Sequence, residues 1–225
     1  MNGPLKDILV LDLTRVLVGP YCTMILSDLG ARVIKVEAPE IGDDSRKFGP
    51  FIDDQSAYFM SLNRGKESIA LNLKNLLVVD LTRVLVGPYC TMILSDLGAR
   101  VIKIEAPEIG DDSRKFGPFI KDYSAYFMSL NRGKESIALN LKNDDDKKIF
   151  EKILSKADIL VENFKPGTLE KWGFGWKDVS KKYPKLIYAS ASGFGQTGPL
   201  KELPAYDMVV QGMGCLLYTS DAADE

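Results

Sequence analysis

Residues 8–75 and 76–143 carry almost the same text twice, so each residue of the first copy has a twin 68 positions further on. The copies differ at five positions only: Ile8/Leu76, Leu11/Val79, Val36/Ile104, Asp53/Lys121 and Gln55/Tyr123. Two copies are fewer than the three or so units that a stacked array needs, so a solenoid is not expected. Even loop residues such as Gly42–Lys47 and Gly110–Lys115 are identical. Tandem domains that have long folded side by side drift apart on their surfaces. A recent duplication, or a chimeric join of two variants of one gene, accounts for this better than a functional tandem. Any site in one copy has a counterpart in the other, and at most one of each pair can sit where the ancestral site sat. The second copy is favoured, because it runs directly into Asp144 and the segment beyond.

The expected organisation is therefore a spare first copy over residues 1–75, a working segment over 76–214, and a non-native tail over 215–225. The tail, Cys215-Leu-Leu-Tyr-Thr-Ser-Asp-Ala-Ala-Asp-Glu, reads as the in-frame translation of a sequencing-library adaptor rather than as an acidic C-terminus. Such scars stay out of fold reasoning, and the native chain is expected to continue past Gly214.

Composition excludes several classes. A hydrophobic share of 45% and a charged share of 27% are ordinary for a globular protein. The net charge of −2, with no basic stripe, argues against a nucleic-acid partner. No apolar run reaches the roughly 18 residues that span a bilayer. Met1–Lys6 lacks the apolar core of a signal peptide, so a cytoplasmic protein with no membrane partner is expected. Cys22 and Cys90 are twins and Cys215 lies in the tail, which leaves one native thiol and no disulfide framework or cysteine metal cage. Histidine is absent. That removes Ser-His-Asp and Cys-His catalysis, makes a metal site unexpected, and leaves chemistry to carboxylates, lysines or tyrosines.

Periodicity along the second copy and beyond alternates strand with helix. Leu76–Leu81 is a continuous apolar run suited to a buried parallel strand. Pro88 stands at an expected first helical position and Gly98 stops the helix after Leu97. Arg100–Glu105 is the next strand, and a polar loop follows over Glu108–Pro118. A helix near Ser124–Leu130 and a strand over Ser136–Leu141 complete the copy. Asp144–Asp146 is expected to cap a helix whose Ile149, Phe150, Ile153 and Leu154 share a face. Strands at Asp158–Glu162 and Lys185–Ser190, with helices at Leu169–Trp172, Trp176–Lys182 and Tyr206–Met213, continue the pattern. This is an α/β chain with a parallel sheet. No Gly-x-Gly-x-x-Gly follows any strand, which argues against an ordinary dinucleotide site.

Ligands of open α/β sheets bind beyond the carboxyl ends of the strands. The loops expected there are Thr82–Gly87, Ala106–Phe116, Glu162–Gly167 and Ser192–Gly198. Arg83 offers a cation to an anionic ligand, or is a solvated loop arginine. Asn163-Phe164-Lys165 combines an amide, an aromatic face and a cation, as a nucleotide needs, or is a plain turn. Ser192–Gly198 could cradle a phosphate or a pantetheine chain through backbone N–H groups, or serve as a connector. Trp172, Phe174 and Trp176 read as core rather than as a binding box.

In order, the stretches Val79-Asp-Leu-Thr-Arg-Val-Leu-Val-Gly-Pro, Leu97–Pro107, Gly110-Asp111, Asn131–Ile137, Ala157–Gly167 and Ala205–Gly212 resemble the class III CoA-transferases. That group includes formyl-CoA:oxalate and carnitine CoA-transferases and the α-methylacyl-CoA racemases. The resemblance covers Leu5–Gly214, with the N-terminal segment matched twice. It implies a truncated large domain with a Rossmann-like parallel sheet, coenzyme A or acyl-CoA and a carboxylic acid as substrates, and a homodimer in full-length relatives. It also implies transfer through an aspartate that attacks the thioester, forms a mixed anhydride and then an aspartyl-CoA thioester. Carried over residue by residue, CoA contacts are expected at Arg83, Leu85, Val86, Ala106, Leu139, Asn140, Lys142, Asn163, Phe164, Lys165, Lys171, Ser192, Gly193, Phe194 and Gly195. Some relatives carry histidine at position 83 and a nucleotide-touching arginine at 106. Tyr206 and Asp207 are supporting residues. The racemases have histidine at 206, so Tyr206 points to the transferase branch. The family nucleophile falls beyond Gly214, and Asp221 and Asp224 lack its surrounding pattern. No catalytic residue is therefore assigned, and the chain is expected to be inactive. A non-catalytic CoA-binding protein and a racemase are the alternatives.

Overall fold

A computed structural model describes residues 3–214. The expected tail, with Asp221 and Asp224, lies outside the described residues. The chain separates into two compact units, residues 3–75 with 93–99, and residues 76–92 with 100–214.

The first unit holds β1 (Leu9–Asp12), α1 (Val18–Asp28), β2 (Arg32–Glu37), a short antiparallel hairpin of β3 (Phe51–Ile52) and β4 (Gln55–Ser56), α2 (Ala57–Asn63) and β5 (Glu67–Ala70). Its sheet is parallel, in the order β1-β2-β5. β1 is an edge strand, and its Leu9 and Leu11 are exposed.

The second unit repeats these elements and adds to them. They are β6 (Leu77–Asp80), α3 (Val86–Asp96, of which residues 86–92 group with this unit), β7 (Arg100–Glu105), the hairpin β8 (Phe119–Ile120) and β9 (Tyr123–Ser124), α4 (Ala125–Asn131) and β10 (Glu135–Ala138). Then come α5 (Asp144–Leu154), β11 (Ile159–Glu162), α6 (Thr168–Trp172), α7 (Trp176–Lys182), β12 (Ile187–Ser190) and α8 (Asp207–Met213). The sheet is parallel throughout, in the order β10-β7-β6-β11-β12. Within the unit that is strand order 3-2-1-4-5, the Rossmann-like order, whose topological switch lies between the first and fourth strands. Here the switch lies between β6 and β11. The central position of β6 explains its unbroken apolar run: Val78 and Val79 are both fully buried.

The core packs α5, α6 and α7 against the sheet. Phe150 and Phe174 meet edge to face with centroids 4.7 Å apart, among Val79, Leu81, Leu139, Leu141, Leu154, Leu160 and Leu169. Several local expectations need correction. The helix after β6 begins at Val86, not Pro88, because proline is tolerated throughout a first turn where N–H groups are unpaired anyway. Asn143, not the aspartate run, caps α5 by accepting from the Asp145 N–H, and Asp144–Asp146 fill the first turn, where negative charge meets the positive end of the helix. Ile149 faces solvent, and only Phe150 and Leu154 of α5 are fully buried. Trp176 is exposed at the start of α7, while Phe174 is core as expected.

The twin copies supply their own control for packing. Leu81 is 2% exposed and its twin Leu13 is 40% exposed. Leu81→Ala is expected to cost the second unit about 2–5 kcal/mol, and Leu13→Ala less than about 1 kcal/mol. Hydrogen exchange of the twin peptides over residues 8–13 and 76–81, told apart by Leu11 and Val79, checks each copy by itself.

Candidate functional site

The loops that follow β6, β7, β10 and β11 surround a cavity of about 550 Å³ at the carboxyl end of the second unit's sheet. Its walls are Leu81–Arg83 from the end of β6, Lys103–Asp111 from β7 and its loop, Leu139–Lys142 after β10, and Phe164 and Trp172 after β11. The volume suits a small organic ligand.

The wall after β6 is held in a tight turn. Asp80, fully buried, accepts from the Thr82 N–H at 2.8 Å and from the Thr91 hydroxyl at 2.6 Å. A Cβ on Gly87 would lie 2.2 Å from Thr82 Cβ, so only glycine lets α3 start this close to the strand end. Val84 takes a left-handed φ of 68°, a costly conformation for a β-branched residue. Two clamps hold it. The Val84 N–H donates to Asp111 Oδ1 at 3.1 Å. The Asn163 side chain accepts from the Arg83 N–H and donates to the Arg83 carbonyl, both at 2.8 Å. The second clamp bridges the β6/β11 switch.

The floor is ionic. Lys103 Nζ lies 2.9 Å from Asp111 Oδ2 and donates to the Thr82 carbonyl at 2.7 Å, and both side chains of the ion pair are buried. Burial works against the Asp111 carboxylate, but the Lys103 ammonium and the Ser113 hydrogen bonds outweigh it and hold the carboxyl below its ordinary value. Lys134 is likewise buried, 3.0 Å from Asp80. Glu105 takes a bidentate pair from Arg114 at 2.8 and 2.6 Å, and the guanidinium stacks 3.8 Å over Phe127. The first unit repeats this floor, and there Lys35 and Ser45 overcome burial to bring Asp43 down to about 2. Glu162 goes the other way. Burial pushes its carboxyl up, and the Ser190 hydroxyl and Phe164 N–H offset only part of that.

Of the expected contact residues, Arg83, Ala106, Leu139, Asn140, Lys142 and Phe164 come together in this cavity. Leu85, Val86, Asn163, Lys165, Lys171 and Ser192, Gly193, Phe194 and Gly195 do not line it. Leu85, Val86, Lys165 and Lys171 are exposed. The Asn163 amide is engaged with the Arg83 backbone, and Gly193 packs against Ala205. Tyr206 is exposed at the entry to α8. Arg83 pairs with Asp112 at 2.8 Å with 38% of its side chain exposed. Lys103 and Glu105 are committed to the walls, so the ligand-facing cations are Arg83 and Lys142. Trp172 packs against the core as expected and also gives the cavity an aromatic wall, 5.3 Å from the Phe164 ring. The buried pairs were missed as well. Their signal was the alternation of Lys103 and Glu105 with the buried Val101, three residues on one face of a strand.

A family model described as CoA-transferase family III matches residues 5–76 and again residues 73–225. The acetyl-CoA:oxalate CoA-transferase of Acetobacter aceti is 55% identical over 149 residues, which cover 66% of this chain and 38% of that protein. The mouse succinyl-CoA:glutarate CoA-transferase is 44% identical over 153 residues, covering 68% of this chain and 35% of that protein. Among solved structures, a CAIB/BAIF family protein from Brucella suis is similar with a TM-score of 0.61 and 41% identity, over 65% of this chain and 40% of that one. The chain thus spans well under half the length of these relatives.

Removing one member of the ionic floor leaves the other buried and unpaired. Asp111→Asn is expected to destabilise the second unit by about 3–5 kcal/mol, and the paired change Lys103→Met with Asp111→Leu by clearly less. Asp111 and Glu105, and Asp43 in the first unit, have folded pKa values below their unfolded ones. Their contribution is present above the ordinary carboxylate range and is lost as the pH falls; for Asp43 the window runs from 3.8 down to about 2. Urea midpoints between pH 7 and pH 2 check both statements.

Proposed function

The chain belongs to CoA-transferase family III, and from that premise we propose that its cavity binds the nucleotide end of coenzyme A for a CoA-transferase acting on a carboxylic acid. The observation that carries this reading is the convergence of Arg83, Ala106, Leu139, Asn140, Lys142 and Phe164, expected from the resemblance, on one cavity at the carboxyl end of the sheet. Arg83 and Lys142 supply positive charge to the phosphates. Phe164 and Trp172 give the base an aromatic wall, and Leu139 an apolar one. A phosphate that reaches Arg83 must compete with Asp112.

The parent enzyme on this reading moves CoA from an acyl-CoA to a carboxylate through an aspartyl anhydride and thioester. Residues 76–214 bind and orient the cofactor moiety, and residues 1–75 are a spare copy. The nucleophilic aspartate of the family pattern falls beyond Gly214. The 225 residues alone therefore bind acyl-CoA without transferring it. Tyr206 favours the transferase branch over the racemase branch. The resemblance also supports a homodimer for the full-length protein. Among the described residues no helix is long and apolar enough to cross a membrane.

Isothermal titration with CoA tests the binding claim. Arg83→Ala and Lys142→Ala are each expected to weaken CoA about tenfold, the loss of about one charge-assisted hydrogen bond. Ala106→Arg is expected to tighten it about fivefold by adding a cation to the wall. NAD is expected to leave the melting temperature unchanged where CoA raises it. A covalent acyl-enzyme formed from succinyl-CoA or acetyl-CoA by the 225-residue chain would overturn the inactive reading.

A further inference from the structure

The duplication leaves one surface covered in the second copy and bare in the first. Val79 on β6 is fully buried, yet its twin Leu11 on β1 is 65% exposed. Leu81 and Leu139 are 2% and 5% exposed, and their twins Leu13 and Leu71 are 40% and 37% exposed. The cover on the second copy is the downstream segment. β11 lies parallel to β6 with Ile159, Leu160 and Val161 opposite Val78, Val79 and Asp80. Phe150, Leu154, Leu160, Leu169 and Phe174 pack on the same apolar face.

β1 presents the same edge in the same fold. It pairs with β2 in the register in which β6 pairs with β7, one turn of the repeat earlier: Val10 with Val33, and Val78 with Val101. Asp12 and its Thr14, Thr23 and Lys66 partners reproduce Asp80 with Thr82, Thr91 and Lys134. The only changes on the docking strand are Ile8 for Leu76 and Leu11 for Val79, both apolar.

We propose that the bare face of the first copy is a second seat for residues 144–214 of the same chain. β11 would there lie opposite Val10, Leu11 and Asp12, and the chain interconverts between two seatings. Each seating covers one copy and bares the other, so the apolar area buried is nearly the same in both. The second copy is favoured by its short connection to α5, since seating on the first copy closes a connection longer by one whole repeat, a cost that grows only slowly with length. An exchanged dimer covers no more faces than a monomer, which is why the occupant is assigned within one chain. Transient release of the segment is the expected route between seats.

Two measurements on the full chain test this. The first uses Val79→Asp, Leu11→Asp and the double variant, with emission of Trp172 and Trp176 as the readout; these are the chain's two tryptophans, and both ride on the moving segment. Val79→Asp is expected to keep a cooperative urea transition, because the segment moves to the first copy. Leu11→Asp is expected to behave like the parent, and the double variant to lose the transition. A Val79→Asp chain as unfolded as the double variant would overturn the proposal. The second measurement is independent of that variant's folding. With Cys22, Cys90 and Cys215 changed to serine, Leu11→Cys and Leu160→Cys are expected to join under mild oxidation as a monomeric cross-link, since facing strand positions suit disulfide geometry. No cross-link, or a cross-link found only in dimers, would overturn it.

Discussion

The cavity at the carboxyl end of the second unit's sheet depends on the pairing of β6 with β11. That contact makes β6 a central strand and buries Val78 and Val79. It also brings Asn163 across the strand-order switch to grip the Arg83 backbone. Without it the loop after β6 keeps the Val84 bond to Asp111 but loses the Asn163 clamp, and Phe164 and Trp172 have no place in the cavity wall. The first unit shows what the same residues do without that pairing. They form the same local turns and the same buried ion pairs, but Leu11 and Leu13 stay exposed.

The ionic floor has a different task. Lys103 with Asp111, and Lys134 with Asp80, are buried charges that each need the other. Such pairs add little net stability compared with apolar packing. They do fix which atoms meet, and they hold the loops after β6 and β7 in one arrangement. The same acids and bases are thereby kept out of ligand binding. The cavity is left with Arg83 and Lys142 as its cations and with largely apolar and aromatic walls, a balance suited to an anionic ligand with an aromatic base.

Much of the fold was legible in the sequence. The apolar run at Leu76–Leu81 and the alternation that follows it placed every long strand and helix of the second unit, because buried parallel strands and amphipathic helices have distinct periods. The direct run from Asn143 into Asp144 pointed to the second copy, whose β6 pairs with β11. What escaped depends on three-dimensional neighbours. The capping role of Asn143 turned on one residue of offset. Burial of Lys103 depends on a partner eight residues away, past a loop. Trp172 lines the cavity as well as packing on the core, a double contact that no spacing in the chain announces. The resemblance named a third of the residues that line the cavity, but not the clamp of Asn163 on Arg83, since a list of contact positions carries no information about how a loop is held.

The most direct test is hydrogen exchange with and without CoA, read by mass on the twin segments. Val36 and Ile104 give the peptides over residues 32–42 and 100–110 different masses, so the first copy serves as an internal control. The account predicts that CoA slows exchange mainly in residues 100–110 and 76–85, with little change in 32–42. Equal slowing in both copies, or none in the second, would contradict it.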